Sequence, residues 1–551
     1  MAESVEHAGS PSNRDWKVGG LERRRVTDPQ TEEHEAIPWW KRTYSPVAIA
    51  FGVGVLAVAI YLWQLSVPES VSFYDTGVYM AATIHFVSGV LPYRDFTFVN
   101  PPGILLLMTP VGIFARIFGS HDGLILARVV TSIVTALNAS LLAWLVRHRG
   151  RFAMALAGIG LALLPIAFFV SSALKLDPYS IFFVLLGSLV ILSRHHRSGE
   201  VTNRSLWIGG VLFGIAAVVK LWAFFPFLAL IICLLPTCRR RLSLFVGGAA
   251  LGFIVPSLPF FLVSPGNFIN QVVSVQLLQK VNPEFSPGIT KRLIDLTGVF
   301  PSSISPTAKE AVIIFVALFL LVGGTLIRNT KRNVIDVYLG LASAITVCAL
   351  LIAPTFQMYW AYYAAPFLVG TFAISISALG DSFRRVLDSV KISGVVRRFL
   401  SWSITGIGIL LVFALVLSVT TFYTNYAWFY GLDGPKVAAI DKIIPAGSCV
   451  VYDYVIFGVY TNRITSDDRR CPSVVDPYGM WLDFGDHVIP PPTKFVSEWK
   501  GYFQNAQYVV LNHPQTTYIP WDRSLRKWFD ANYHLLYGKD YIYIYSNDSQ
   551  N

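Results

Sequence analysis

Long apolar runs alternate with short polar stretches from about residue 46 to residue 424. The runs are 46–66, 101–118, 122–146, 152–173, 178–193, 205–219, 221–237, 242–263, 310–327, 334–353, 359–379 and 402–424. Most of them are long enough to cross a bilayer as a helix, which takes about 20 residues. The pattern predicts a mainly α protein, a polytopic bundle of membrane helices.

Basic residues cluster between these runs, at 41–42, 147–151, 194–197, 239–241, 328–332 and 381–398. The positive-inside rule places such clusters in the cytoplasm. An even number of spans must then separate 41–42 from 147–151, whereas three apolar runs lie between them. We therefore expect 101–118, which begins at Pro101-Pro102, to be a juxtamembrane or re-entrant helix on the outer face.

The stretch 205–237 has a cytoplasmic arginine at each end, Arg204 and Arg239. As one helix it would be about 50 Å long, so two short helices with an apex near Lys220 fit better. The predicted total is about eleven spans, with the amino terminus in the cytoplasm and the carboxyl terminus outside. The segments 67–121, 175–180, 264–309 and everything after about 425 then face outward.

Three regions follow from this count: a disordered cytoplasmic tail (1–43), a transmembrane domain (44–424) and a small extracytoplasmic α+β domain (425–551). The last region has apolar runs at 448–460 and 506–512, a helix-like stretch at 521–533 and a strand at 540–547. Cys449 and Cys471 fall within it. A disulfide suits an oxidising exterior, and two unpaired thiols are the alternative.

Composition supports an integral membrane protein, since 54% of residues are hydrophobic and only 14% are charged. A net charge of +11 could suit nucleic acid, but the basic residues stand beside apolar runs. We therefore predict a bilayer partner and no nucleic acid, in a multi-pass protein of the cell inner (plasma) membrane. The chain has no G-x-x-x-x-G-K-[ST] motif, which argues against an ATP-driven mechanism.

Charged residues near membrane depth are costly, so those on the outer face are candidates for function. Asp75 follows the first span and could be a general base, or it could only cap a helix with Ser72. Asp177 and Lys175 share the turn KLDPYS, where an aspartate before Pro178 is also a good helix start.

Several cations could bind a phosphate. Arg94 could do so through its fork of donors, or it could pair with Asp95. Lys220 has no acidic neighbour in the sequence, so an anionic ligand is favoured over snorkelling to the interface. The loop 264–309 adds basic and amide side chains that would also suit a solvated loop: Gln271, Gln276, Lys280, Lys291 and Arg292.

Other outer-face residues could contact a substrate. His121 precedes the second true span, and Gln357, Tyr359 and Tyr362 belong to the aromatic stretch 354–367. Aromatic residues at a membrane boundary usually form an interfacial belt, although they can also stack on sugar rings.

The order and common sidedness of these motifs carry a family resemblance. An acidic residue in the first outer loop is followed by PYRDF and NPPG (92–103), by KLDP (175–178) and by GIAAVVKLWAFF (214–225). This arrangement resembles the GT-C superfamily of polyprenyl-phosphate-sugar-dependent glycosyltransferases, most closely its actinobacterial mannosyl- and arabinofuranosyltransferases, from residue 46 to about 425. The resemblance implies inverting transfer of a sugar from a polyprenyl phosphate to a hydroxyl of a cell-envelope glycan or glycolipid.

The resemblance also implies roles for individual residues. Asp75 corresponds to the family's base and Asp177 to its second acidic position. The cations implied at the donor phosphate are Arg94, Lys175 and Lys220, to which the residues add Lys291 and Arg292. The expected substrate-binding residues are Asp95, His121, Gln276, Gln357, Tyr359 and Tyr362. The outer loops contain no D-x-D motif, so a divalent metal is unsupported and no cofactor is predicted.

Two other functions remain open at this stage. A transporter or flippase of lipid-linked sugars would use intramembrane charges as a pathway, but such proteins commonly have two similar halves and no internal repeat is evident here. A non-catalytic envelope scaffold would use Asp75 only as a helix cap.

Overall fold

The computed structural model describes residues 39–65, 74–198, 201–278, 287–299, 307, 309–316, 333–389, 434–484, 490–539 and 541–547. These residues are mainly helical, with a small sheet near the carboxyl terminus. The described residues from Pro46 onward form one compact unit. The predicted tail (1–43), Ser72 and the apolar runs 310–327 and 402–424 lie wholly or largely outside the described residues.

The described residues before 390 form the helices of the first part of the chain, which we call the helical part. They are α1 (Trp39–Gln64), α2 (Tyr74–Val87), α3 (Gly103–Phe118), α4 (Ser120–Leu145), α5 (Arg151–Ala162), α6 (Pro165–Ser171), α7 (Leu176–Ser198), α8 (Asn203–Val219), α9 (Phe224–Cys238), α10 (Leu242–Val263), α11 (Pro265–Ile269), α12 (Val275–Leu278), α13 (Ile289–Leu296), α14 (Val334–Ile352) and α15 (Ala361–Ser389). Among the described residues, six helical stretches are long and apolar enough to cross a membrane, or seven if the bent pair α5–α6 is one span. The total of about eleven stays a prediction.

Glycines bring α8 and α10 into backbone contact. Gly210 and Gly214 of α8 lie against Gly248 and Gly252 of α10, in the same order along both helices. A Cβ atom added at Gly248 would lie only 2.5 Å from the carbonyl oxygen of Trp207. Small residues are the usual means by which membrane helices approach so closely. The shared order means that α8 and α10 run parallel.

The chain must therefore reverse twice between these two helices. One reversal is at Lys220, where α8 ends, and the other is at the 3₁₀ turn Arg239–Arg241. The 15-residue helix α9 separates the two reversals. The predicted break of 205–237 near Lys220 is confirmed, and this lysine lies at the opposite end of α9 from the arginines.

The predicted juxtamembrane segment 101–118 contains the short helix α3, of 16 residues. Its first residue, Gly103, abuts the last turn of α8, because a Cβ atom there would lie 2.6 Å from the carbonyl oxygen of Val218. Farther along, Gly112 packs against Thr83 of α2. The start of α3 is thus held beside the end of α8 that carries Lys220. The depth of α3 in the membrane stays a prediction.

The carboxyl-terminal part is α+β, as predicted. Its strands are β1 (Val450–Tyr452), β2 (Tyr508–Leu511), β3 (Tyr533–Lys539) and β4 (Ile542–Asn547), and its helices are α16 (Gly434–Ile443), α17 (Ile456–Tyr460), α18 (Pro477–Phe484), α19 (Thr493–Asn505) and α20 (Arg523–Asn532). The sheet has the order β1-β2-β4-β3, with β1 parallel to β2 and the other pairs antiparallel. The helix expected at 521–533 is α20, and the strand expected at 540–547 is β4. Cys449 and Cys471 form a disulfide.

This carboxyl-terminal part packs directly on the helical part. Gly77 of α2 lies against α17, so that an added Cβ atom would be 2.5 Å from the backbone nitrogen of Ile456. Ser120, the first residue of α4, donates a hydrogen bond of 2.6 Å to the carbonyl oxygen of Val459. Apolar residues of α2, α3, α17 and the sheet share one hydrophobic core. Helix α2 therefore lies between the bundle and the sheet.

Candidate active site

A cleft of about 420 Å³ opens at the amino-terminal end of α2. It is bounded by α2, the segment before α3, the turns that precede α7 and follow α8, the turn before α15, and the carboxyl-terminal part. Its polar lining residues are Tyr74, Asp75, Asn100, Lys175, Lys220, Gln276, Thr355, Gln357, Tyr359, Tyr454, Asp476, Tyr478 and Tyr518. Segments from distant parts of the chain thus meet in one concave site.

Asp75, the second residue of α2, is held by a lysine and a tyrosine. The Lys175 ammonium donates to its Oδ2 at 2.9 Å, and the Tyr359 hydroxyl donates to the same oxygen. The side chain of Asp75 is 26% exposed, whereas that of Lys175 is 3% exposed. Burial opposes ionisation of Asp75, but Lys175 and Tyr359 outweigh it and lower the pKa below its usual value. The carboxylate facing the cleft is therefore ionised at neutral pH.

Lys220 makes the second ion pair. Its ammonium donates to Oδ1 of Asp177 at 2.8 Å, and the exposed fractions of the two side chains are 10% and 1%. Asp177 is in the first turn of α7, and Lys220 caps the end of α8. The acidic partner that the local sequence lacks is thus supplied from 43 positions away. Asp177 lies behind Lys220 and does not line the cleft.

Aromatic rings surround the Lys220 ammonium. It lies 5.1 Å from the ring centroid of Trp360 and within 6.0 Å of those of Trp222, Tyr359 and Tyr363. The Lys175 ammonium is 4.0 Å from the same Tyr359 ring. Cation–π contacts at these distances are attractive. Two lysines that converge on one tyrosine at the cleft wall suit an anionic group such as a phosphate.

Local hydrogen bonds explain why Lys175 meets Asp75. The turn between α6 and α7 carries Lys175, and it is fixed from two sides. The guanidinium of Arg128 in α4 donates to the carbonyl oxygen of Ser172 at 2.5 Å. The hydroxyl of Thr76, next to Asp75 in α2, donates to the carbonyl oxygen of Leu174 at 3.3 Å. The turn is therefore docked on α2 before any ligand arrives.

The cleft brings together six of the residues predicted from the sequence: Asp75, Lys175, Lys220, Gln276, Gln357 and Tyr359. The amide nitrogen of Gln276 donates to the carbonyl oxygen of Val99 at 2.6 Å, which ties the segment 265–278 to the approach to α3. Within the described residues, no group of three or more His, Cys, Asp or Glu side chains could hold a metal ion.

Other predicted residues lie away from the cleft. Arg94 and Asp95 form a two-bond ion pair with each other, with both hydrogen bonds at 2.8 Å and side chains 50% and 31% exposed. The structure therefore has the pairing of Arg94 with Asp95, which the sequence left open as the alternative to phosphate binding by Arg94. The His121 ring packs 5.5 Å from the ring of Tyr460. None of these residues lines the cleft.

Three further predicted residues have structural partners instead of a place in the cleft. Lys291 pairs with Asp295 one helical turn away, at 3.3 Å. The guanidinium of Arg292 donates to three carbonyl oxygens at the end of α14, where it caps the helix. Tyr362 is buried in the bundle, and its hydroxyl accepts a hydrogen bond from Asn138 at 3.1 Å. None of the three lines the cleft, and their contact with a ligand stays a prediction.

Sequence reasoning missed one wall of the cleft. Asp476, Tyr454, Tyr478 and Tyr518 come from the carboxyl-terminal part, and Tyr74 directly precedes Asp75. The Asp-Pro pair at 476–477 reads as an ordinary helix start, and α18 does begin there. Its place in the cleft lining and its hydrogen bond with Tyr74, across 402 positions, show that this aspartate belongs to the site.

No protein-family sequence model matches the chain, and no curated protein sequence matches it. Solved structures do match. ArnT from Cupriavidus metallidurans bound to undecaprenyl phosphate aligns with a TM-score of 0.56 and 13% identity, over 93% of this chain and 99% of that one. ArnT from the same organism in the apo state aligns with a TM-score of 0.55 and 14% identity, over 90% of this chain and 98% of that one. The apo form of the Archaeoglobus fulgidus oligosaccharyltransferase aligns with a TM-score of 0.48 and 15% identity, over 86% of this chain and 70% of that one. This likeness is too distant to carry an argument.

The low identity restricts this likeness to the fold, and the actinobacterial subtype stays a prediction. The alignment with ArnT nevertheless extends over almost the whole of both chains, including the membrane helices and the carboxyl-terminal part. The chain therefore has the fold of ArnT, and its described helices include at least six that are long and apolar enough to cross a membrane. This fold is the GT-C fold that the sequence motifs predicted.

Proposed function

We propose that this protein transfers a sugar, with inversion, from a polyprenyl-phosphate donor to a hydroxyl of a cell-envelope glycan or glycolipid. The observation that carries the proposal is the pair of buried lysines beside an ionised carboxylate in one cleft. The ArnT fold supports it, because ArnT itself has been seen with undecaprenyl phosphate. Sugar transfer needs these two features together: cations for a departing phosphate and a base for an attacking hydroxyl.

The lysines would stabilise the leaving group. Cleavage of the bond between the sugar and the phosphate develops negative charge on the phosphate oxygens. Lys175 and Lys220 are already fixed by Asp75 and Asp177, so little reorganisation is needed when that charge appears. In this scheme Asp177 is a positioning residue, because it touches Lys220 and not the cleft.

Asp75 would act as the general base. It is the carboxylate of the two ion pairs that reaches the cleft, and it would take the proton of the acceptor hydroxyl as that oxygen attacks the sugar. An attack from the face opposite the phosphate inverts the anomeric centre. A phosphate bound to Lys175 would also weaken the pull of this lysine on Asp75, which makes the carboxylate more basic when donor is present.

The same fold supports an outward-facing cleft in the plasma membrane. Lys220 and the arginines Arg239–Arg241 lie at opposite ends of α9, and the positive-inside rule places those arginines in the cytoplasm. The disulfide between Cys449 and Cys471 suits an oxidising exterior. We therefore propose a cytoplasmic amino terminus and an extracytoplasmic carboxyl-terminal part.

A transfer assay tests the function. The purified protein in lipid would be offered polyprenyl-phosphate mannose, arabinofuranose and glucose with an oligosaccharide acceptor pool. We expect Asp75→Asn to lower turnover by about 10² to 10⁴-fold, the usual contribution of a positioned base. The matched control is Asp95→Asn, which changes an aspartate outside the cleft and should leave turnover nearly unchanged. Undiminished transfer by folded Asp75→Asn would remove this residue from the mechanism.

A further inference from the structure

The two ends of the cleft differ in chemistry. One end carries Lys175 and Lys220 with their aromatic neighbours. The other end is formed by Asp476 and by a group that we call the tyrosine wall, consisting of Tyr74, Tyr454, Tyr478 and Tyr518. Asp75 follows Tyr74 directly in α2 and is bonded to Lys175, so it lies where the two ends join. The proposed donor chemistry uses only the first end.

The tyrosine wall is a packed aromatic surface. The rings of Tyr454 and Tyr518 are stacked, with centroids 5.5 Å apart and planes at 26°. Tyr74 contacts both at 5.3 Å and 5.2 Å, and Tyr478 lies 5.7 Å from Tyr518. Each ring is therefore fixed by its neighbours, and together they present apolar faces edged with hydroxyl groups.

Asp476 is built into this wall. It is 4% exposed, and its Oδ1 accepts hydrogen bonds from the Tyr74 hydroxyl at 2.9 Å and from the backbone N–H of Gly479 at 2.8 Å. The Tyr74 oxygen in turn accepts a hydrogen bond from the backbone N–H of Tyr478 at 2.7 Å. A side chain at position 479 would overlap the Asp476 carboxylate, so the glycine leaves room for it. The carboxyl group is thus oriented in advance.

We propose that Asp476 and the tyrosine wall form the acceptor subsite, and that its ligand is a neutral sugar ring. This inference rests on the proposed transferase function. An anionic acceptor would be repelled by the Asp476 carboxylate, whereas a hydrocarbon would remove water from this carboxyl group and from the edges of the phenols without offering a polar group in return. A sugar ring offers an apolar face to the tyrosines and hydroxyl groups to the carboxyl group.

The position of Asp75 fits this division. A sugar on the tyrosine wall and a phosphate on the lysines would approach Asp75 from its two sides, since Tyr74 precedes it and Lys175 is bonded to it. The acceptor hydroxyl could then give its proton to Asp75 while its oxygen attacks the sugar of the donor. The carboxyl-terminal part would in this way select the acceptor, and the helical part would bind the donor.

Two binding assays on the full chain in lipid nanodiscs test the inference. One uses undecaprenyl phosphate, and the other uses octyl glycosides of mannose, arabinofuranose and glucose. Asp476→Asn and Tyr518→Ala should weaken binding of at least one glycoside by about tenfold or more, the effect of losing a polar contact to a charged group or a packed ring. Undecaprenyl phosphate should bind these variants as it binds the wild type. Asp530→Asn and Tyr541→Ala, exposed positions of the same part, are the matched controls.

The outcomes separate the two proposals. Tyr518→Leu, which removes the ring but fills part of its volume, replaces Tyr518→Ala if the latter does not fold. Wild-type protein that binds no glycoside, glycoside affinities unchanged in both variants, or binding of an unglycosylated serine-rich peptide in place of glycosides would each overturn the sugar subsite. Glycoside binding that needs Asp476 in a protein that does not bind undecaprenyl phosphate would instead overturn the proposed donor, and leave the sugar site standing.

Discussion

Each of the two buried lysines of the cleft is neutralised by one aspartate, Lys175 by Asp75 and Lys220 by Asp177. A buried charge is tolerated when a partner lies at hydrogen-bonding distance. The two aspartates differ in access, since the side chain of Asp75 is 26% exposed and that of Asp177 is 1% exposed. One carboxylate can therefore meet a substrate, while the other only holds its lysine.

In the ion pair between Lys220 and Asp177, removal of the aspartate alone should destabilise the protein more than removal of both charged groups. Asp177→Leu leaves Lys220 buried without its acceptor, which should lower the free energy of unfolding by about 3–5 kcal/mol. The double change Asp177→Leu with Lys220→Met should regain most of this stability and still transfer no sugar. Thermal unfolding in detergent and the transfer assay measure the two effects. A double variant no more stable than Asp177→Leu would show that the unpaired lysine is not the cause.

Asp453, at the end of β1, should make stability depend on pH. Burial raises its pKa to about 7, although the backbone N–H of Asn512 donates to both carboxylate oxygens. Because the folded protein holds this proton more tightly than the unfolded chain, the stabilisation is complete below about pH 4 and is lost as pH rises through about 7. The slope should reach at most about 1.4 kcal/mol per pH unit.

Asp453→Asn, which does not titrate, isolates this effect. Unfolding temperatures between pH 4 and pH 8 should fall more steeply for the wild type than for the variant. Burial also raises the pKa of Asp476 to about 6. The pH dependence of stability that this causes is the same in the wild type and the variant, so it cancels when the two proteins are compared. Parallel curves for the two proteins would contradict the assignment to Asp453.

At the scale of elements, the contact between α8 and α10 decides where the cleft lysine is placed. Glycines of both helices let the backbones touch, and their order makes the helices parallel. The chain must then reverse at Lys220, which lies beside the first turn of α3. A close helix contact inside the bundle thus positions a charged residue at the rim.

Two adjacent glycines of α10 test this contact. Gly248→Ala should destabilise the protein, because the new methyl group would lie 2.5 Å from the carbonyl oxygen of Trp207. Gly247→Ala has no neighbour within 4 Å of the new Cβ atom and should be neutral or slightly stabilising, since alanine favours helix over glycine. Thermal unfolding of both variants measures the difference. Equal unfolding temperatures would contradict the close packing of α8 on α10.

At the scale of the whole molecule, the carboxyl-terminal part completes the site. It shares a hydrophobic core with α2, α3 and α4, and it supplies Asp476 and three tyrosines to the cleft. The lysine end of the cleft belongs to the helical part alone. Removal of the carboxyl-terminal part would therefore expose the α2 core as well as one wall of the site, so single substitutions are the better probes.

The proposed orientation has a direct test. A tag after the last residue should be accessible to an impermeant reagent in intact spheroplasts, because the disulfide-bearing part is expected outside. A tag before the first residue should be labelled only after the membrane is permeabilised. The reverse pattern would place the cleft in the cytoplasm and would remove the outer-leaflet donor from the mechanism.

The sequence by itself determined several of the elements, because the spacing of apolar residues follows the local conformation of the chain. The break near Lys220, the helix α20, the strand β4 and the pair of cysteines could all be predicted from short windows of sequence. The choice of Asp75 also needed only its place after the first apolar run. The motifs also predicted the GT-C fold, through their order along the chain.

Only the tertiary structure decided which polar groups meet, because partners far apart in the chain leave no local signal. Lys175 bonds to Asp75 across 100 positions, and Asp476 bonds to Tyr74 across 402. The same limit applies to Arg292, whose acceptors at the end of α14 follow some 58 positions later, so that its capping contacts could not be predicted from the sequence. The sequence pattern therefore specifies whether a segment forms a helix or a strand, while the packing of these elements specifies which side chains share a cleft.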